Sequence, residues 1–80
     1  MEVRVLCFGV IRDYLPDGSD GKRTRLTLDD DARVLDAVES LGVPNRLVHA
    51  VLVNEEPAGL DRGLREGDEI TLMPQFTGGV

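Results

Sequence analysis

The last eleven residues carry the composition that a reactive terminus needs. From Ile70 to Val80 no side chain is charged, in an 80-residue chain of which 30% is charged. Met73-Pro74 leads into Gln75-Phe76-Thr77-Gly78-Gly79-Val80. Pro74 removes a ladder donor and the paired glycines maximise backbone freedom, so a paired strand ends soon after Met73. A neutral, thin end suits entry into a tunnel on another protein. Glycine has no Cβ, which leaves a Gly79 carboxylate open to a nucleotide phosphate or a nucleophile. Read alone, the same pattern also describes a terminus that merely frays.

The other chemistry-bearing residues have plainer readings. Cys7 shares a strand face with Val3 and Val5 and has only Arg4 as a basic neighbour, which marks a core thiol and not a nucleophile. As the one cysteine, it excludes an internal disulfide and a cysteine-based zinc cage. His49 is the one histidine, so a Ser-His pair or a histidine metal site has little to build on. Packing at a strand edge is the expectation for it. Asp17-Gly18-Ser19-Asp20-Gly21 has the composition of a calcium loop, but the ligand position that needs a carboxylate falls on Leu28. We expect no metal site. Asp29 to Asp31 and Glu66-Asp68-Glu69 read as solvated turns or as docking points for a basic partner.

Positioning these residues requires a small α+β domain. Val3 to Phe8 alternates as a strand with Val3, Val5 and Cys7 on one face and Leu6 and Phe8 on the other. Gly9 ends it, and Val10 to Leu15 spaces apolar residues for a turn or two of helix before Pro16. Thr24 to Leu28 predicts a second strand, antiparallel to the first. Val34, Ala37, Val38 and Leu41 form one helical stripe with Leu35 on its flank. Asp29 to Asp31 favour a helix start there, and Gly42 with Pro44 stops it. Leu47 to Val53 reads as a central strand, Asn54 to Pro57 as a turn, and Leu60 and Leu64 as apolar anchors in a polar loop. Glu69 to Met73 is the last strand.

Length allows one domain with a thin core. Nine Lys and Arg against fifteen Asp and Glu give a net charge of −6, which disfavours a nucleic-acid backbone or an anionic membrane as the main partner. The apolar run Val5 to Ile11 is far below the roughly 20 residues of a membrane span. A soluble cytoplasmic domain is the expectation. The helix covers one sheet face only, so either Leu6 and Phe8 or Val3, Val5 and Cys7 form a candidate partner face.

Val3 to Gly9 with Arg12-Asp13-Tyr14-Leu15, the helix Val34 to Leu41, Val51-Leu52-Val53-Asn54, Leu64 to Ile70, Pro74 and Gly78-Gly79 together resemble the MoaD/ThiS family of ubiquitin-like sulfur carriers. The resemblance implies a β-grasp fold, a mixed sheet packed on one main helix, over residues 1–74, with 75–80 as a flexible tail. It implies a protein that is not itself an enzyme and binds no cofactor. A partner resembling ubiquitin-activating enzymes would use ATP to adenylate Gly79, and sulfur would then displace AMP to leave a thiocarboxylate. Phe76, Thr77 and Gly78 would be the lead into that partner. The setting implied is molybdopterin (or tungsten) cofactor synthesis, with the molybdopterin synthase large subunit or another sulfur acceptor downstream. Relatives end at Gly-Gly, whereas Val80 follows Gly79 here, so a peptidase is expected to remove Val80 first. Two alternatives stand: a modifier conjugated to lysine, and a pure binding module. For the latter, Leu41-Gly42-Val43-Pro44 is similar to ubiquitin-like domains fused to predicted nucleases.

Overall fold

A computed structural model describes residues 1–75. Its sheet has five strands: β1 (Glu2–Cys7), β2 (Arg23–Thr27), β3 (Ala50–Val53), β4 (Glu56–Ala58) and β5 (Glu69–Met73), with one α-helix, α1 (Val34–Leu41). The order across the sheet is β2-β1-β5-β3-β4. β5 lies parallel to β1, and the remaining neighbours are antiparallel. The α+β β-grasp expected from the sequence is the fold observed.

Alternation on β1 decides which face is covered. Val3, Val5 and Cys7 are fully buried and join Val34, Ala37 and Val38 of α1, Val51 and Val53 of β3, and Ile70 and Leu72 of β5 in one core. Leu35, on the flank of the helix stripe, and Leu41, at its C-terminal end, are half-buried. Each fully buried aliphatic side chain contributes about 1.5–3 kcal/mol, so this single layer between helix and sheet carries the hydrophobic stabilisation. Gly42 ends α1 at φ 76°, where an L side chain would be strained. The N–H of Val43 reaches back to the Val38 carbonyl at 3.2 Å, closing a Schellman turn.

The start of α1 uses long-range partners. Arg33 occupies the N-cap, and its side chain has no acceptor to offer. Half a capping box survives, in which the Asp36 carboxylate accepts the Arg33 N–H at 2.8 Å. The free N–H groups of Val34 and Leu35 donate to the carbonyls of Arg62 and Leu60, each at 2.9 Å. The segment read as a loop with two apolar anchors is therefore the cap of the helix. Leu64 is buried and Leu60 is half-buried against the core. Asp29 to Asp31 form a turn outside the first helical turn, where Asp36 is the acid present.

Three segments differ from the expected reading. Val10 to Leu15 is a 3-10 helix over Gly9–Tyr14, with Ile11 buried. Leu47 to Val53 is not one strand: after Pro44 the chain makes a 3-10 turn over Asn45–Leu47, and pairing starts at Ala50. Asn54 to Pro57 is a hairpin that adds β4. Val53 pairs with Glu56, so Asn54 and Glu55 are its two-residue loop, at φ 52° and 71°. Positive φ at both positions is the type I′ geometry that matches strand twist. Pro57 is tolerated because β4 is an edge strand.

Asp68 fastens this hairpin to the sheet. Its buried carboxylate accepts the Asn54 side-chain amide at 2.9 Å and the Arg65 N–H at 2.8 Å, while its carbonyl accepts the Arg4 N–H. The Asn54 amide oxygen accepts the Glu69 N–H at 3.0 Å. Asp68→Ala strands two donors and is expected to cost about 1–3 kcal/mol in chemical denaturation. Glu55→Gly is expected to gain about 0.5–1 kcal/mol, since the left-handed conformation costs a glutamate more than glycine loses in unfolded-chain entropy. A loss of stability for Glu55→Gly would contradict the turn geometry.

Candidate functional site at the end of the last strand

The described part of the chain ends just past β5, the middle strand of the sheet. Leu72 sits between Cys7 and Val51, and Met73 lies opposite Ala50. Phe8 donates its N–H to the Leu72 carbonyl at 3.1 Å, and His49 donates to the Met73 carbonyl at 2.8 Å. β5 is thus held from both sides through its final residue. Pro74 then presents no donor and is buried, while Gln75 is exposed. The direction in which β5 ends is set by two ladders. Phe76, Thr77, Gly78, Gly79 and Val80, the residues expected to carry the chemistry, lie outside the described residues.

Register defines the surface beside the end of β5. Leu6, Thr71 and Leu52 form one row on the face away from α1. Met73 and Ala50 form the next, nearer that end, and Phe8 joins this face by alternation. Of the expected pair Leu6 and Phe8, Leu6 is only 9% exposed and Phe8 is half-buried. The Lys22 ammonium sits 4.5 Å from the Phe8 ring centroid, a cation–π contact that roofs the aromatic face. Leu52, Met73 and Ala50 are additions that β-pairing brings to the patch from distant parts of the chain. Val10, at 54% exposure, is the exposed large apolar residue among those described.

The other candidate groups separate from this surface. Cys7 is fully buried, and burial pushes its thiol up to about 11. It faces α1 and not this surface. His49 is exposed and contributes its backbone N–H to β5. In the Asp17 to Gly21 turn, the Ser19 hydroxyl donates to the Pro16 carbonyl at 2.6 Å, so it closes the turn locally. Among the described residues, no three His, Cys, Asp or Glu side chains are grouped to hold a metal ion. None of the described helices is long and apolar enough to cross a membrane. The described residues therefore build a platform beside the end of β5, and the arrangement suits presentation of the segment beyond Gln75.

Comparison with known proteins places this geometry. Residues 1–79 match the family model described as Mut7-C ubiquitin. No curated protein sequence matches the chain. SAMP1 from Haloferax volcanii, a small archaeal modifier protein, superposes with a TM-score of 0.76 at 26% identity, covering 99% of this chain and all of that one. A molybdopterin-converting factor subunit 1 of Pyrococcus furiosus shares the fold at a TM-score of 0.70 and 19% identity, over 94% and 98% of the two chains. In Helicobacter pylori, the complex of molybdopterin-converting factor subunits 1 and 2 contains a chain at 27% identity and a TM-score of 0.56, matched over 99% and 100%. The resemblance to ubiquitin-like carriers holds at the level of fold and family.

Burial of Cys7 has a direct chemical consequence. At pH 8 a thiol with its pKa raised to about 11 is almost wholly protonated. Alkylation of the folded protein is expected to run roughly a hundredfold or more slower than in denaturant. Rapid labelling of native protein would show Cys7 to be a reactive thiol.

Proposed function

Because the chain belongs to the Mut7-C ubiquitin family and has the β-grasp fold, we propose that it is a sulfur carrier whose reactive atom sits on Gly79. The observation that carries this reading is the hydrogen-bonded end of β5, which is followed in sequence by an uncharged segment containing Gly78-Gly79. The carrier performs no catalysis. A partner resembling ubiquitin-activating enzymes joins the Gly79 carboxylate to AMP from ATP, releasing pyrophosphate. Hydrosulfide-type sulfur then attacks the acyl carbon; the C–S bond forms as the bond to AMP breaks. The product is a thiocarboxylate, a softer and stronger nucleophile than the carboxylate it replaces. The similarity to a chain in the complex of molybdopterin-converting factor subunits 1 and 2 supports a synthase large subunit as the acceptor, in molybdenum or tungsten cofactor synthesis.

Val80 bears on the first step. While it is attached, the Gly79 carbonyl is an amide with no oxygen to adenylate. Hydrolysis of the Gly79–Val80 bond by a peptidase must come first in this scheme. The half-buried Phe8, Leu52 and Met73, with Leu6 beneath them, are the surface on which the activating partner would rest.

Two other readings draw on specific observations. A modifier conjugated to lysine draws on the likeness to SAMP1. A non-catalytic binding module draws on the Mut7-C ubiquitin match, which is the kind of domain that Leu41-Gly42-Val43-Pro44 resembles. Intact mass of the protein from its own cells separates the three. The carrier predicts loss of one valine and exchange of one oxygen for sulfur. Ladders of adducts on other proteins would mean a modifier. An unaltered mass under every growth condition, with function surviving deletion of Gly78 to Val80, would mean a binding module and overturn the proposal.

A further inference from the structure

The sheet places two arginines side by side, and among the described residues neither makes an ion pair. Arg4 and Arg25 are cross-strand partners in the β1–β2 ladder. The Arg4 N–H donates to the Asp68 carbonyl at the β5 side, so its pairing with Arg25 is of the non-hydrogen-bonded kind. Such partners approach to about 4.5 Å between Cα atoms, the closest spacing in a sheet. Like charges directly opposite one another destabilise a sheet. Arg23, one pleat further along the same face, pairs with Leu6, and Lys22 follows over Phe8.

The acids nearest in the fold make no ion pair with this row. Glu69 is the register partner of Arg4 on β5, Glu2 lies one pleat along β1, and Asp20 bridges to Arg23 through backbone alone. Among the described residues the one ion pair is Met1 with Asp30, at 3.4 Å. Protecting an exposed edge from strand pairing explains charges on β2. It gives no reason for Arg4, which lies on an interior strand. An open groove of about 530 Å³ runs along the row, walled by Arg4, Arg23 and Arg25 and by Ser19 and Asp20 of the preceding turn.

We propose that this outer β1–β2 face is a docking surface for a partner protein that presents a cluster of carboxylates beside apolar side chains. Charge complementarity selects the acidic partner, and Leu6 and Thr71 next to the arginines select a protein surface. A nucleic acid is disfavoured because a chain of net charge −6 repels a polyphosphate at long range. Docking turns a repulsive pair into two attractive ones. The inference goes beyond the carrier reading and holds equally for a modifier or a binding module.

The test uses the whole chain, isotope-labelled, titrated by NMR with a short peptide of alternating glutamate and leucine. Shifts should centre on Arg4, Arg23 and Arg25, weaken with added salt, and be absent for the matching lysine–leucine peptide. The Arg4→Gln, Arg25→Gln double variant should bind about tenfold more weakly. At low salt, Arg25→Gln alone should raise Tm, and added salt should erase the gain. Shifts centred elsewhere, undiminished binding by the double variant, or tighter binding of an equally charged oligonucleotide would each overturn the proposal. So would a lower or unchanged Tm for Arg25→Gln, which would show that the pair carries no repulsion to relieve.

Discussion

Everything in this domain is organised around hydrogen bonding to β5, the strand latest in sequence and central in space. Without it, β1–β2 and β3–β4 are two separate hairpins. With it, they become one sheet, and the core residues Ile70 and Leu72 enter between the halves. The same ladders that complete the fold also hold the last strand up to Met73, which Pro74 and Gln75 follow. Stability and presentation therefore share one set of bonds. A domain this small has little hydrophobic reserve, so its polar fastening at Asp68 and Asn54 matters in proportion.

The one-sided core explains the surface left for partners. α1 covers Val3, Val5 and Cys7, and the opposite face of β1 is left with Glu2, Arg4, Leu6 and Phe8. That face divides into a cationic part at the β2 edge and an apolar part near the end of β5. The net negative charge of the chain points to a basic partner, whereas the cationic row points to a local acidic one. The two are compatible, because total charge governs approach over a Debye length and neighbouring side chains govern contact.

Much of the architecture was legible in the residues. Glu69 to Met73 has alternation bounded by Gly67-Asp68 and Pro74, and the helix stripe ends at a glycine that the left-handed turn requires. β4 was not legible, because Asn54-Glu55 lacks the glycine that marks a type I′ turn and Pro57 speaks against a strand. Leu47-Val48 leads straight into the apolar run of β3 and has strand composition, yet the backbone leaving Pro44 closes a 3-10 turn first. The cap on α1 comes from carbonyls of Leu60 and Arg62, a pairing at long sequence separation that local patterns do not encode. The covered face of β1 was undecided because both of its faces are apolar. For the site, the end of the last strand at Met73-Pro74 could be read from composition, but the Arg4–Arg25 pair required register.

Strand order also sets a timetable for synthesis. Both outer hairpins emerge from the ribosome before Glu69 does, and each alone is marginal in water. Until β5 emerges, the nascent chain exposes two unpaired strand borders, on β1 and on β3, that would accept any stray extended segment. Closure joins residues more than sixty positions apart in the β1–β5 ladder, which makes it the slow, high-contact-order event. Holdase chaperones should therefore engage this domain in the interval before β5 emerges and release it in a single step.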